Sequence, residues 1–195
     1  GVSSAASDVY KRQLVGYFNA TRELAGMRRH VDDSVTTLVS DQRTISGLPR
    51  RTTSSLIVGE LTSRISSADI ATTLDRLGVQ FDPEFDSTAA RMKWMEENKA
   101  GNTKNAPSQS STRKVRPYDV VLATSMLQVG VDVSRLGLMV VVGQPKNTAE
   151  YIQASSRVGR SPDKHGPGLV VSLANWARPR DMAHFEQFDY YHRTF

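Results

Sequence analysis

The chain becomes strongly apolar at Asp119-Val120-Val121-Leu122-Ala123, a run that is followed at once by the hydroxyl residues Thr124 and Ser125. Two similar runs come later, at Leu138-Met139-Val140-Val141-Val142 and at Leu169-Val170-Val171-Ser172-Leu173. Continuous apolar runs are typical of strands that helices cover on both faces of a parallel sheet. The three runs therefore predict an α/β domain.

The beginning of the chain predicts a strand followed by a helix. Leu14-Val15-Gly16-Tyr17-Phe18 is a short apolar run that ends at Asn19, a residue suited to capping the next helix. That helix is predicted by a stripe of apolar residues at helical spacing, namely Leu24, Met27, Val31, Val35 and Leu38.

Two more helices are predicted from their capping residues. After a candidate strand at residues 56–62, Ser66 and Asp69 have the spacing of a capping box, and the helix should end near Gly78. A helix is also expected from Thr148 to Val158, with Thr148 or Asn147 as its cap. Each strand of such a sheet places its ligand-binding residues just beyond its carboxyl end.

The domain organisation follows from changes in composition. Residues 1–13 have no hydrophobic period, and we expect a cloning scar, similar to a translated transposase adapter, or a disordered tail. Residues 14–177 form the predicted domain, interrupted by a polar insertion at about 79–117 that is interpreted as a surface loop or a contact for a nucleic-acid backbone. Residues 178–195 predict the start of a truncated helical extension, whose aromatic stripe is interpreted as packing surface rather than as a platform for bases.

The composition excludes several kinds of site. With 25 Lys and Arg against 20 Asp and Glu, the net charge of +5 permits a polyanionic partner without requiring one. The sequence has no Cys, and its four His residues lack the spacing of metal ligands, so no metal site is predicted. No apolar run approaches the roughly 18 residues of a membrane helix, so a cytoplasmic protein with no membrane partner is expected.

Thr124, Arg157 and Arg160 have side chains suited to binding phosphate. Thr124 directly follows a predicted strand, so its hydroxyl and the amides of Thr124 and Ser125 are expected to point off the sheet. Arg157 and Arg160 are expected on one side of a helix end, where guanidinium groups can bind phosphate oxygens. The simpler interpretations are a helix cap for Thr124 and partners of the helix dipole for the two arginines.

Two segments together resemble motifs V and VI of the superfamily-two helicases. They are Ala123-Thr124-Ser125-Met126-Leu127-Gln128-Val129-Gly130-Val131-Asp132 and Gln153-Ala154-Ser155-Ser156-Arg157-Val158-Gly159-Arg160. The second departs from the pattern Gln-Arg-x-Gly-Arg-x-Gly-Arg at Ala154 and Ser156. Among subfamilies, the chain is most similar to the large bacterial helicases of phage-defence systems such as DISARM. The resemblance implies a RecA-like three-layer sandwich with a mainly parallel central sheet and helices on both faces.

The resemblance also implies roles for the matching residues. Arg160 would be the arginine finger on the γ-phosphate of ATP, and Arg157 would be its partner. The residues implied at the ATP site are Gly130, Asp132 and Gln153. Those implied on the nucleic-acid backbone are Thr124, Ser125, Asn19 and Arg64. Read without the family, Asp132 is an ordinary loop acid.

The function implied is that of the second motor domain of an ATP-dependent helicase or translocase. No Gly-x-x-x-x-Gly-Lys-Ser/Thr loop and no acidic metal-binding box occurs in the sequence, so ATP and Mg²⁺ are expected to bind mainly to a preceding RecA-like domain. The fragment alone is therefore expected to be inactive. The expected partners are that domain and a single- or double-stranded nucleic acid, with DNA favoured. The alternative is a stand-alone nucleic-acid-binding or interaction module with a degenerate RecA-like fold.

Overall fold

The computed structural model describes residues 13–41, 56–79, 82, 86, 115–128, 136–160 and 167–194. The first elements are β1 (Leu14–Phe18), α1 (Thr21–His30), a π-helical turn (Val31–Val35), α2 (Thr36–Asp41), β2 (Val58–Leu61) and α3 (Ser67–Leu77). They are followed by β3 (Val120–Ala123), a 3-10 helix (Ser125–Gln128), β4 (Leu138–Val142), α4 (Thr148–Ser155), β5 (Leu169–Leu173), α5 (Pro179–Glu186) and α6 (Phe188–Arg193).

The strands of the described part form one sheet in the order β2-β3-β1-β4-β5. Every neighbouring pair runs parallel, as the continuous apolar runs predict. The carboxyl ends of all the strands therefore lie along one side of the sheet, which we call the carboxyl edge. Strand β1 is central, between β3 and β4, so the residues that follow these three strands are neighbours at that edge.

Helices cover both faces of the sheet, and a core lies on each. On one face, Val15 and Tyr17 of β1 belong to a buried cluster that also contains Leu77 of α3 and Tyr151 of α4. On the other face, residues of β1 and β3 pack with Leu24 of α1. This arrangement confirms the prediction of three layers around a parallel sheet.

The predicted capping residues of α3 and α4 are confirmed. Ser66 Oγ accepts a hydrogen bond from the Asp69 amide at 3.1 Å, and α3 ends just before Gly78. Asn147 Oδ1 accepts from the Glu150 amide at 2.8 Å at the start of α4. Each cap satisfies an amide that has no partner inside its helix, and so fixes where that helix begins.

The prediction that Asn19 caps the first helix is wrong. The residue before α1 is Ala20, and no side chain caps that helix. The Asn19 side-chain amide instead donates to the backbone oxygens of Val142 at 3.3 Å and Gln144 at 3.0 Å. Because β1 and β4 are adjacent, these carbonyls lie within reach of Asn19, which joins the two carboxyl ends.

The apolar stripe of the first helix holds only in part. Leu24 and Val31 are buried, but Leu38 is 60% exposed. The chain passes through the π-helical turn between them, where Thr36 Oγ1 donates to the Val31 carbonyl at 2.9 Å. A π turn has more residues per turn than an α-helix, so the later residues leave the stripe.

Strand β5 is not covered on both faces in the described part of the chain, contrary to the prediction. It has β4 as its neighbour and forms the edge of the sheet. Leu169 and Leu173 are more than half exposed, whereas Val170, which points to the other face, packs against the core. The apolar run predicts the strand correctly but does not predict its burial.

The tail forms the two helices α5 and α6. Its buried stripe is one residue away from the one that the helical period predicts, which is Met182, Phe185, Phe188 or Asp189, and His192. Asp181 and His184 are buried, whereas Phe185 is 70% exposed. The Asp181 carboxylate accepts from the amides of Gln144 at 3.0 Å and Asn175 at 2.9 Å. These two hydrogen bonds fix the rotation of α5, because they require Asp181 to face the sheet.

Candidate functional site

The residues predicted to hold a nucleic-acid backbone lie after three neighbouring strands. Arg64 follows β2, Thr124 and Ser125 follow β3, and Asn19 follows β1. Neighbouring strands are about 4.8 Å apart, so the positions after β2 and β1 are separated by roughly 10 Å. The fold thus brings these residues to one stretch of the carboxyl edge, although they are far apart in sequence.

The backbone of Thr124 is not available in the way the sequence predicts. Its amide donates to the Leu61 carbonyl at 3.1 Å, which extends the pairing of β3 with β2 by one residue. Thr124 is only 6% exposed, whereas Ser125 is exposed at the start of the 3-10 helix. The expectation that the Thr124 amide points off the sheet is therefore wrong, because the ladder continues past the strand end.

Arg64 and Asn19 also have partners within the domain. Arg64 Nη2 lies 3.3 Å from Glu60 Oε1, and that oxygen also accepts from the Thr62 hydroxyl at 2.9 Å. An exposed pair of this kind contributes about 0 to 1 kcal/mol, so a phosphate can compete for the guanidinium. The side-chain nitrogen of Asn19 donates to two backbone carbonyls and so joins the carboxyl ends of β1 and β4.

Arg157 and Arg160 lie in a turn and not on a helix, contrary to the prediction of a helix from Thr148 to Val158. Helix α4 ends at Ser155, and the Gly159 amide donates to the Leu136 carbonyl at 2.9 Å. Gly159 has φ of +72°, which favours glycine, and a Cβ there would lie 2.7 Å from the Gly168 amide nitrogen. The chain leaves the helix early because Val158 pairs with Leu136 beside the sheet.

The two arginines of this turn differ in their surroundings. Arg157 is half-buried, and its Nη2 donates to the backbone oxygen of Gln128 at 2.5 Å. Arg160 is exposed. The carbonyl of Gln128 lies at the end of the 3-10 helix, where oxygens lack helical partners and carry negative potential. The guanidinium of Arg157 is thus docked on the segment after β3, whereas Arg160 is an exposed residue of the same turn.

The side chain of Gln128 is held in turn by the central strand and by α4. Its Nε2 donates to Tyr17 Oη at 2.8 Å, and the Tyr17 hydroxyl donates to Glu150 Oε1 at 2.9 Å. Burial, the hydrogen bond to Glu150 and the charge of that carboxylate raise the pKa of Tyr17 above its usual value. The hydroxyl therefore stays protonated at neutral pH and can continue to donate to Glu150.

The remaining residues predicted at the ATP site are only partly described. Gly130 and Asp132 lie outside the described residues. Gln153 is exposed on α4, one turn before Arg157. The structure therefore brings Gln153 and the two arginines to the same end of α4.

Guanidinium groups at this end of α4 suit the phosphates of a nucleotide, since they donate several hydrogen bonds and keep their positive charge. The described residues contain no group of three or more His, Cys, Asp or Glu side chains that could hold a metal ion. None of the helices in the described ranges is long and apolar enough to span a membrane.

Sequence reasoning missed the polar residues that support these arginines and the tail. Tyr17 belongs to the apolar run that predicts β1, and no role is predicted for Asp181. Glu150 did have a sequence signal, since an acid three residues after a capping residue such as Asn147 is the pattern of a capping box. Nothing in the local sequence indicates Asp181, whose partners are 6 and 37 residues away.

Comparisons with known proteins agree with this architecture. Residues 94–162 match the family model described as helicase conserved C-terminal domain. The DISARM protein DrmA of Bacillus paralicheniformis is 41% identical over 191 residues, which cover 93% of this chain and 13% of that protein. The structure of the Mycobacterium smegmatis helicase Lhr bound to ssDNA and AMP-PNP superposes with a TM-score of 0.54 at 13% identity.

The chain spans about an eighth of the length of DrmA. The match to Lhr includes 95% of the present chain and 18% of the Lhr chain. At 13% identity the likeness to Lhr shows the fold alone. The parallel sheet with helices on both faces is RecA-like. The fold, the match of residues 94–162 and the similarity to DrmA together support a superfamily-two helicase C-terminal domain in this chain.

Proposed function

We propose that the chain works as the second motor domain of an ATP-dependent nucleic-acid helicase or translocase. In this account a preceding RecA-like domain of the same protein binds ATP and Mg²⁺, and the present domain closes on it. Arg160 contacts the γ-phosphate as arginine finger, and Arg157 supports it. Closure of the two domains couples the state of the nucleotide to the grip on one nucleic-acid strand.

The observation that supports this proposal best is the docking of Arg157 on the Gln128 carbonyl. It joins the turn that carries both arginines to the segment after β3, where Thr124 and Ser125 lie. A movement of the arginines on binding or loss of the phosphate would therefore shift the segment that carries the residues proposed to hold the nucleic acid. The two partners are 29 residues apart in sequence, so this hydrogen bond is a tertiary contact that connects two separate segments.

On the nucleic-acid side, we propose that Ser125 and Arg64 make the contacts with backbone phosphates. Both are exposed at the carboxyl ends of neighbouring strands, and Arg64 can exchange its surface pair with Glu60 for a phosphate. Thr124 is buried, and its carbonyl accepts from the Leu127 amide at 3.0 Å, which stabilises the turn after β3. Such contacts position a strand without reading its sequence.

The two arginines have different roles in the proposed reaction. ATP, when bound, supplies the phosphoanhydride bond that is broken by water. The chain's own contribution is positive charge where negative charge grows on the transferred phosphoryl group, with guanidinium donors whose geometry matches phosphate oxygens. Docked on Gln128, Arg157 keeps its orientation before the domains close, and the exposed Arg160 reaches across the cleft.

ATP hydrolysis by the full-length protein tests the proposal. With single-stranded DNA or RNA present, we expect stimulated hydrolysis that Arg160→Ala lowers by roughly 10³-fold or more. The isolated 195-residue chain should hydrolyse no ATP. Steady hydrolysis by the isolated chain, lost in Arg160→Ala, would overturn the division of labour between domains. Equal rates of wild type and Arg160→Ala in the full-length protein would favour the binding-module alternative.

A further inference from the structure

The guanidinium of Arg157 is docked on a carbonyl whose own position is set by three side chains from separate elements. Tyr17 lies on the central strand β1, Gln128 at the end of the 3-10 helix, and Glu150 in the first turn of α4. We call Tyr17, Gln128 and Glu150 the arginine support. Of these, Gln128 contacts Arg157, through its backbone oxygen at 2.5 Å.

The hydrogen bonds of the arginine support form a chain from the core to the turn. Glu150 Oε1 accepts from Tyr17 at 2.9 Å, and Tyr17 Oη accepts from the Gln128 amide at 2.8 Å. Gln128 Nε2 also lies 3.5 Å from the Glu150 backbone oxygen. The Gln128 side chain is thus held through its Nε2 atom, and its backbone carbonyl accepts from Arg157.

Rigid surroundings make Tyr17 an effective anchor for this chain. Its side chain has 0% exposure, and β1 has a paired strand on each side. Glu150 Oε2 accepts from the Lys146 amide at 3.3 Å, and the Glu150 amide is capped by Asn147. Tyr17 and Glu150 therefore cannot move without breaking contacts of the sheet or of the start of α4.

We propose that the arginine support positions Arg157 for the hydrolytic step, so that Tyr17, Gln128 and Glu150 are positioning residues of the motor. The inference rests on the function proposed above. An arginine that must meet a growing charge contributes most when its orientation is fixed before the reaction, because no reorganisation is then needed. Removing the Tyr17 hydroxyl takes from Gln128 Nε2 its shorter hydrogen bond and from Glu150 Oε1 the Tyr17 donor.

The test uses the full-length protein and compares Tyr17→Phe with Tyr151→Phe. The control also removes a tyrosine hydroxyl, from a buried residue of α4, but that hydroxyl contacts Ser172 Oγ at 3.2 Å and not the arginine support. We expect Tyr17→Phe to lower the nucleic-acid-stimulated kcat by roughly 5- to 30-fold, the equivalent of one or two hydrogen bonds, with KM for ATP unchanged. Tyr151→Phe should keep the wild-type kcat.

A double-mutant cycle separates positioning from general destabilisation. If Tyr17 acts through Arg157, Tyr17→Phe should cause no further loss in an Arg157→Ala background. An equal fractional loss in both backgrounds would overturn the inference, and so would an equal loss in Tyr151→Phe. Glu150→Gln keeps an oxygen that can accept from Tyr17, so it should lose less kcat than Glu150→Ala. Equal losses in those two variants would also contradict the account.

The same variants distinguish failure of the inference from failure of the proposed function. An Arg157→Ala protein with low kcat beside a Tyr17→Phe protein with wild-type kcat would overturn the positioning role alone. An Arg157→Ala protein and an Arg160→Ala protein that both retain wild-type kcat would overturn the proposed function, and with it the need for a support.

Discussion

The Asp181 carboxylate accepts a hydrogen bond from the backbone amide of Gln144 at 3.0 Å, across the junction of the tail and the carboxyl end of β4. Its second oxygen accepts from the Asn175 amide at 2.9 Å, and Asp181 is 1% exposed. One buried side chain therefore joins the segments that follow β4 and β5. The tail is part of the domain through this contact.

We expect Asp181→Ala to lower the free energy of unfolding of the 195-residue chain by about 2–4 kcal/mol, because two buried amides lose a charged acceptor. Urea denaturation measures it as a shift of the midpoint. Asp189→Ala is the matched control, since Asp189 is an exposed acid of the same tail, and it should change the free energy by less than about 1 kcal/mol. An Asp181→Ala chain as stable as this control would contradict the role given to Asp181.

Acidification should weaken the docking of the tail. His184 stacks on Tyr191 with a ring separation of 5.3 Å, and its ring also lies near Tyr151 and Phe188. Burial and the charge of His192 lower the pKa of His184, while the Asp181 carboxylate acts in the opposite direction. Below a pH of about 6.5 the unfolded chain therefore takes up a proton at His184 before the folded chain does, and stability is lost as the pH falls through the folded pKa.

His184→Phe keeps an aromatic ring and removes this titration. We expect the wild type to lose more of its free energy of unfolding between pH 8 and pH 5 than His184→Phe does, by urea denaturation at each pH. An equal loss in the two proteins would show that His184 does not couple pH to tail docking.

Alanine substitutions at two glycines are expected to change the stability of the chain in opposite directions. At Gly159, with φ of +72° and the Gly168 amide nitrogen 2.7 Å from a Cβ position, alanine should destabilise the 195-residue chain by about 1–3 kcal/mol. Gly26 is exposed inside α1, and no atom lies within 4 Å of a Cβ there. Gly26→Ala should stabilise by roughly 0.5–1 kcal/mol. Thermal unfolding of both variants checks this, and a Gly159→Ala chain with raised Tm would contradict the conformation of the turn.

The parts of the fold that the sequence predicts are those determined by local pattern. The apolar runs predict β1, β3, β4 and β5 as strands, and the caps Ser66 and Asn147 predict where two helices begin. These signals are local, because burial of a strand and satisfaction of a helix end depend on neighbouring residues.

The errors occur where a distant partner decides the outcome. Asn19 binds two carbonyls of the β4 end instead of capping α1, and the Thr124 amide is taken by Leu61 of the neighbouring strand. Helix α4 stops early because Val158 pairs with Leu136. The stripe of α5 is displaced because Asp181 finds amides 6 and 37 residues away. No periodicity in a single sequence encodes these tertiary contacts.

For the candidate site, too, the sequence predicts the local features but not the tertiary contacts. The sequence indicates which residues carry suitable chemistry, and the structure adds that Arg157 is docked on Gln128 while Arg160 is exposed. The roles of Gly130, Asp132 and Gln153 at a nucleotide remain predictions. The same holds for the contacts of Thr124, Ser125, Asn19 and Arg64 with a nucleic-acid backbone.

Single-turnover hydrolysis of ATP by the full-length protein, with saturating nucleic acid, tests the central claim most directly. Arg160→Ala is compared with Arg29→Ala, which removes an exposed arginine from α1. The account predicts that Arg160→Ala slows the chemical step by roughly 10³-fold or more while the Kd for ATP changes by less than about threefold, and that Arg29→Ala leaves both unchanged. A chemical step of wild-type rate in Arg160→Ala would contradict the account, because this domain would then supply no catalytic arginine at that position.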